Sequence, residues 1–427
     1  MKKIDYPGLD ETAYRSQLPN GLEICVIHKP GFSRKCAYFV TNYGSVHMNF
    51  TLDGKQVKTP AGVAHYLEHK MFDLPGRDVT AEFAALGANP NAFTSYDMTA
   101  YYFSCTDNFA PALRLLLEFV STPYFTEESV EKERGIIAQE ILMYDDSPDS
   151  RVFEEMVRNL YRNHPLREPI AGSVESIGEI TVQTLSDCHR AFYHPGNMML
   201  CVAGDVDPEE VEAIARELLP ETSGSRAEPD LGEPEEMTPV REVTRLAMDV
   251  AMPTFQLGFK CPAGRTGEDF ARWEMEAELA CEMLMGESSA LYLRLYEEGL
   301  IDSSFGWGVE TIDGSAMVVC GGDSDDPEAV RDAIVEEAAR LAELEIPEVD
   351  FRRLVRSFLG RRVKDLDSFE ATCFRLCAYH YEGFDYLNFP EHFASLDKEA
   401  LRRFWKENIR PDRCAMAIIE PRKGREE

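Results

Sequence analysis

The chain repeats itself at long range, and this repeat limits its possible folds more than any single motif does. Leu185 is followed ten residues later by Pro195 and then by an apolar run at 198–203, and Leu401 is followed ten residues later by Pro411 and an apolar run at 414–419. Both pairs stand 216 positions apart. A helical segment at 126–146 has a counterpart around 347–359, with strand-like segments before it at 254–261 and 317–320. Period-2 apolar alternation marks strands and three-to-four-residue spacing marks helices, so each half reads as α+β. A stretch from Thr222 to Pro239, rich in Ser, Gly, Pro and acid, divides the chain near its midpoint. The expectation is two homologous domains at 1–222 and 241–427, joined by a linker at 223–240, each an antiparallel sheet with helices packed on one side.

The two copies differ where chemistry belongs. The first half carries His65-Tyr66-Leu67-Glu68-His69. The parallel region of the second half reads Ser288-Ser289-Ala290-Leu291-Tyr292-Leu293-Arg294-Leu295-Tyr296, without a histidine pair, and Leu359 falls near the place of Glu140. Helix positions four apart share a face at about 5–6 Å between Cβ atoms, close enough for two imidazoles to reach one metal ion. Glu68 projects alongside, suited to take a proton from a metal-activated water. The same pentad also suits two exposed histidines on an amphipathic helix. A third ligand from a second element decides between these readings, because zinc needs more than two protein ligands.

The segment 126–146 supplies a candidate. Thr126 fits an N-cap, Glu127 and Glu128 fall in the first turn, and Val130, Ile136, Ile137, Ile141 and Leu142 recur at helical spacing. Glu133 and Glu140 lie seven apart, two turns of one helix, so they share a face, and Ile136 and Ile137 are placed on it too. A carboxylate turned towards an apolar side is costly unless a cation meets it. As ordinary surface glutamates the pair needs no such explanation.

These residues together resemble the inverted-motif zinc peptidases, the family of pitrilysin, insulin-degrading enzyme and the mitochondrial processing peptidase. Glu140 follows His69 by 71 positions and closes Glu133-x6-Glu140, the E-x6-E pattern of that family. Asn91-Ala92-Phe93-Thr94-Ser95 with Thr99-Ala100-Tyr101-Tyr102-Phe103 is similar to its edge strand, and Asn20-Gly21-Leu22, Ala61-Gly62-Val63-Ala64 and His194-Pro195-Gly196-Asn197 extend the match through the first half. The resemblance implies one Zn²⁺ per chain, held by His65, His69 and Glu140, with Glu68 as the catalytic base and Glu133 as a supporting catalytic carboxylate. It implies that Asn91, Ala92, Phe93 and Thr94 bind the peptide substrate by strand addition, and that the paired domains form half of a clamshell. Family members also use an Arg and a Tyr seven apart, and no Arg-x6-Tyr pair stands in register after Ser289. The implied enzyme is therefore a zinc metalloendopeptidase acting on short or unfolded peptides, a homodimer or a heterodimer with a related chain that supplies the Arg and Tyr. The alternative is a non-catalytic scaffold or assembly subunit of the same fold.

Composition limits the partners. The 427 residues are 44% hydrophobic, enough for two ordinary domains. With 44 basic and 76 acidic residues the net charge is −32, which argues against nucleic acid and anionic membrane. No run approaches a membrane span, the start lacks an apolar leader, and an odd set of 11 cysteines without a close Cys-x-x-Cys pair suits a reducing, cytoplasmic setting.

Overall fold

The computed structural model describes residues 1–422 as two compact units. The first comprises Met1–Ile141, Pro169–Asp230 and Arg362–Phe389, and the second comprises Leu142–Glu168, Leu231–Arg361 and the segment from Pro390. The repeat is visible in the elements themselves. Helices Val182–Phe192 and Lys398–Asn408, the short turns Pro195–Asn197 and Pro411–Arg413, and strands Met198–Gly204 and Cys414–Pro421 begin at matching offsets of 216.

The first unit is built on a seven-stranded sheet in the order Lys2–Tyr6, Glu11–Gln17, Glu23–His28, Met198–Gly204, Lys35–Thr41, Thr99–Cys105, Asn89–Thr94. The second holds a five-stranded sheet in the order Val243–Met248, Cys414–Pro421, Thr254–Cys261, Ser315–Asp323, Gly306–Ile312. Neighbours are antiparallel, as the alternating patterns imply, except for one parallel pair in each sheet: Met198–Gly204 beside Glu23–His28, and Cys414–Pro421 beside Val243–Met248. Both exceptional strands enter from a helix and a short turn rather than a hairpin, which frees them to pair in parallel.

Helices do not keep to one side of the first sheet. Ile24, Val26, Ala37, Phe39, Tyr101, Phe103, Leu200 and Val202 pack into a core with Leu67, Leu116 and Leu185 from helices Val63–Met71, Phe109–Ser121 and Val182–Phe192. Side chains alternate along a strand, so Cys25, Cys36, Tyr38, Val40 and Cys201 face the other way, and they are buried too. Helix Phe369–Tyr381 packs there, its Tyr381 hydroxyl donating to the Val40 carbonyl at 2.8 Å and Phe374 lying 5.8 Å from Phe93. The physical reason is legible in Met198–Gly204, buried at every position: a strand without a polar face needs cover on both sides.

The corresponding helix of the first half, Pro148–Leu160, packs on the second sheet, against Thr254–Cys261 and Cys414–Pro421. Each unit therefore contains one helix from the other half of the sequence, which contiguous limits at 1–222 and 241–427 do not describe. Of the five places where the chain passes between units, one, Asp230–Leu231, lies inside the 223–240 segment. That segment is fastened: Ser223 Oγ lies 2.8 Å from His194 Nδ1, and Glu235 accepts from the Arg162 and His164 backbone amides at 2.9 and 2.8 Å and from Lys260 Nζ at 3.1 Å. Among the described residues no helix is long and apolar enough to cross a membrane, and all 11 cysteines are buried and free.

Helix Pro148–Leu160 sits so close to its sheet that a Cβ at Gly258 would fall 2.3 Å from Met156 Sδ and 2.6 Å from Leu160 Cδ1. Gly258→Val is therefore expected to destabilise the protein by about 1–3 kcal/mol through overpacking, measurable as a lower urea midpoint. An unchanged midpoint would contradict that packing.

Candidate metal centre

The pentad forms the middle of helix Val63–Met71, which starts after Gly62 at φ +90°. A side chain there is excluded twice, since a Cβ would stand 2.4 Å from the Ala171 carbonyl oxygen and the left-handed conformation favours glycine. Every residue of the helix except His69 is buried, so the two imidazoles belong to a core element and not to a solvated face.

The second helix, Glu127–Asp145, is capped by Thr126, whose Oγ1 accepts from the Ser129 amide at 3.1 Å. Its buried stripe is Val130, Ile137 and Ile141, which packs in the core. Ile136 and Leu142 depart from the sequence reading and lie 49% and 48% exposed. One residue of helix is a rotation of about 100°, so burying Ile137 and Ile141 carries their neighbours Ile136 and Leu142 out of the core. Glu133 and Glu140 border the buried stripe and point to the pentad. The Tyr66 hydroxyl donates to the Val130 carbonyl and ties the two helices together.

His65, His69 and Glu140 converge. One donor atom from each lies within 4.8 Å of the others, the only such group of three or more His, Cys, Asp or Glu among the described residues. Glu140 Oε1 is 3.7 Å from His65 Nε2, and Glu140 Oε2 is 3.5 Å from His69 Nε2. Tetrahedral zinc with ligands at about 2.0–2.2 Å has ligand–ligand edges of about 3.4 Å, so the spacing and the two-nitrogen, one-carboxylate donor set fit that ion. Glu133 Oε1 lies 3.0 Å from His69 Nδ1. A proton on Nδ1 then leaves the Nε2 lone pair directed at the site, the usual relation between a ligating imidazole and a supporting carboxylate. His65 Nδ1 is buried without a partner.

Electrostatics follow from burial and crowded carboxylates. Burial, helped by the charge on His69, pulls His65 down to about 4, so its ring is neutral at pH 7 and free to ligate. Burial acts to lower His69 as well, but the Glu133 hydrogen bond and the charges of Glu68, Glu133 and Glu140 outweigh it and raise its pKa. Burial also raises the Glu68 carboxyl, against the pull of its hydrogen bond from Thr94 and the charge on His69.

The segment expected to bind substrate is strand Asn89–Thr94, at the free edge of the sheet and paired on one side only, with Thr99–Cys105. Helix Val63–Met71 packs against it. Asn91 Oδ1 accepts from the Ala92 amide at 2.9 Å, Phe93 is half-buried against Tyr102, and the Thr94 hydroxyl donates to Glu68 Oε2 at 2.7 Å. An open cavity of about 640 Å³ adjoins the three-residue group, lined in part by Glu68, His69, Phe72, Asn91, Ala92 and Glu133. The sequence reading assigned Thr94 to substrate contact and missed its bond to Glu68. No spacing signal could have found it, because the two residues meet only through the packing of helix on strand.

Family models match most of the chain: residues 55–174 as insulinase (peptidase family M16), and residues 179–358 as the peptidase M16 inactive domain. This chain belongs to peptidase family M16. It is 36% identical over 432 residues to the uncharacterized zinc protease YmfH of Bacillus subtilis (strain 168), covering 99% of this chain and 100% of that protein. It superposes on an M16-like peptidase from Alicyclobacillus acidocaldarius with a TM-score of 0.92 and 34% identity, covering 96% of this chain and 98% of the other. Pitrilysin shares the fold, at a TM-score of 0.79 and 16% identity, but all of this chain covers only 47% of the pitrilysin chain. The M16 relatives thus carry zinc-protease names, and their two-domain architecture is the one seen here.

The geometry predicts that Glu140→Gln loses most of its zinc on dialysis, and that Glu133→Gln retains zinc with affinity lower by about 10- to 100-fold. Competition against a chromophoric chelator measures both. Equal affinity in Glu140→Gln and the unaltered chain would remove Glu140 from the site.

Proposed function

We propose that this M16 chain is a zinc-dependent endopeptidase that hydrolyses short or unfolded peptides, binds one Zn²⁺, and is the zinc-bearing member of a two-chain enzyme. The observation that carries the proposal is the meeting of His65, His69 and Glu140 beside Glu68 and an open-edged strand. His65, His69 and Glu140 hold the ion. Zinc bound there supplies the Lewis acidity that makes water nucleophilic at neutral pH. Glu68 takes the proton of the attacking water and returns it to the leaving amine, a role worth about 10² to 10⁴ in rate. Glu133 fixes the His69 ring through Nδ1.

Asn91, Ala92, Phe93 and Thr94 align the peptide by strand addition, which reads backbone and leaves side-chain specificity loose. The Asn91 side chain covers the Ala92 amide and protects the strand edge until a peptide carbonyl replaces it. The absence of Arg-x6-Tyr from the second half supports a related chain as the source of the Arg and Tyr that steady the substrate carbonyl. Eleven buried, unpaired cysteines support placement in the cytoplasm. The description of residues 179–358 as an inactive domain favours one other reading, a scaffold subunit. The intact set of His65, Glu68, His69 and Glu140 weighs against it.

A fluorogenic peptide assay tests the proposal, run with the chain alone and with a related chain that carries Arg-x6-Tyr. Turnover is expected to stop with chelator and return with zinc, and Glu68→Gln is expected to lower kcat by about 10² to 10⁴ while zinc content stays unchanged. Stoichiometric zinc without turnover in either condition would favour the scaffold.

A further inference from the structure

The hydroxyl of Thr94 makes the one hydrogen bond that reaches the Glu68 carboxylate among the described residues, at 2.7 Å to Oε2. Its proton has no competing destination of comparable quality. Thr99 Oγ1 is 3.5 Å away, and that hydroxyl is itself committed to the Tyr43 carbonyl at 2.8 Å. Thr94 therefore donates to Glu68, and a full charge-assisted bond fixes one carboxylate oxygen. The other oxygen, Oε1, is left for chemistry in the cavity that Glu68 lines.

The anchor is rigid. Thr94 stands opposite Thr99 in the ladder, and the turn between them is closed by the Ser95 amide to the Met98 carbonyl at 2.8 Å and by the Met98 amide to Ser95 Oγ at 3.1 Å. Backbone bonds from Ser45 to Ser95 at 3.1 Å and from Val46 to Tyr96 at 2.9 Å hold the turn from behind. Gly44 permits that approach, since a Cβ there would lie 2.4 Å from the Asp97 amide nitrogen. A glutamate on a helix otherwise has three rotatable bonds and no fixed carboxylate plane. Here one strand carries both the edge offered to a peptide and the hydroxyl that holds the base.

We propose that Thr94 is a positioning residue: its hydroxyl holds the Glu68 carboxylate with Oε1 presented to the attacking water, and it sets the base in register with the strand on which the peptide lies. The proposal rests on the endopeptidase reading. Strand addition uses main-chain groups, so loss of the hydroxyl affects the chemical step and leaves peptide binding intact.

The test compares zinc-loaded Thr94→Val, Thr94→Ser and unaltered full-length chain, each with the related chain if activity requires it. Valine keeps the shape and the strand preference but removes the hydroxyl, whereas serine keeps the hydroxyl. Thr94→Val is expected to lose about 10- to 100-fold in kcat, part of what a general base supplies, with KM and zinc affinity within about twofold. Thr94→Ser is expected to recover to within about threefold of the unaltered rate. Crystal structures of the zinc-loaded variants give a second readout, with the Glu68 carboxylate rotated or split in Thr94→Val and single in Thr94→Ser. Unimpaired turnover of Thr94→Val, equal loss in both variants, or a change confined to KM would overturn the proposal and leave the endopeptidase reading standing. An unaltered chain that never cleaves peptide would end both.

Discussion

The site depends on the packing of helix Glu127–Asp145 against helix Val63–Met71. Zinc-ligating atoms must lie about 3.4 Å apart, while His69 and Glu140 are 71 positions apart in the chain. Three buried side chains, Val130, Ile137 and Ile141, together with the bond from Tyr66 to the Val130 carbonyl, convert that separation into 3.5 Å between His69 Nε2 and Glu140 Oε2. The arrangement gathers three carboxylates around two imidazoles in a half-buried place, an unfavourable concentration of like charge without a cation. The apolar stripe that borders the two glutamates is what holds the groups together, and the collected charge suits a divalent ion.

The same economy governs the surroundings. Glu133 and Glu140 sit on one helix face, so a single packing decision delivers one carboxylate to the two imidazole Nε2 atoms and a second to the Nδ1 side of His69. Strand Asn89–Thr94 lies against the pentad helix, which brings Glu68 and the open sheet edge within one hydrogen bond of each other. Helix Phe369–Tyr381 covers the second face of the first sheet, and helix Pro148–Leu160 packs on the second sheet. Cysteines 25, 36 and 201 on the first sheet consequently behave as small apolar side chains in a dry layer.

Much of this was legible before any coordinates. The 216-residue offset located matching helix, turn and strand in both halves, because a repeated supersecondary unit preserves spacing even where side chains diverge. The two histidines four apart and two glutamates seven apart fixed faces of helices, since helical geometry is local. Errors arose where a local pattern met a choice of neighbours. Ile136 and Leu142 have the composition of core residues, but only one stripe of their helix is covered. One-sided helix packing was expected, although the apolar run at 198–203 already demanded cover on both faces.

Motif spacing in the sequence by itself determined the family, and periodicity within single elements determined the two α+β halves and that His65 shares a helix face with His69 and Glu133 with Glu140. Only the tertiary structure decided that Glu140 reaches both imidazoles, that Glu133 meets His69 Nδ1, that the Thr94 hydroxyl donates to Glu68, and that each unit takes a helix from the other half of the sequence. Each of these is a contact between segments distant in the chain. Such contacts are fixed by which apolar faces bury one another, and no spacing along one strand or helix records that.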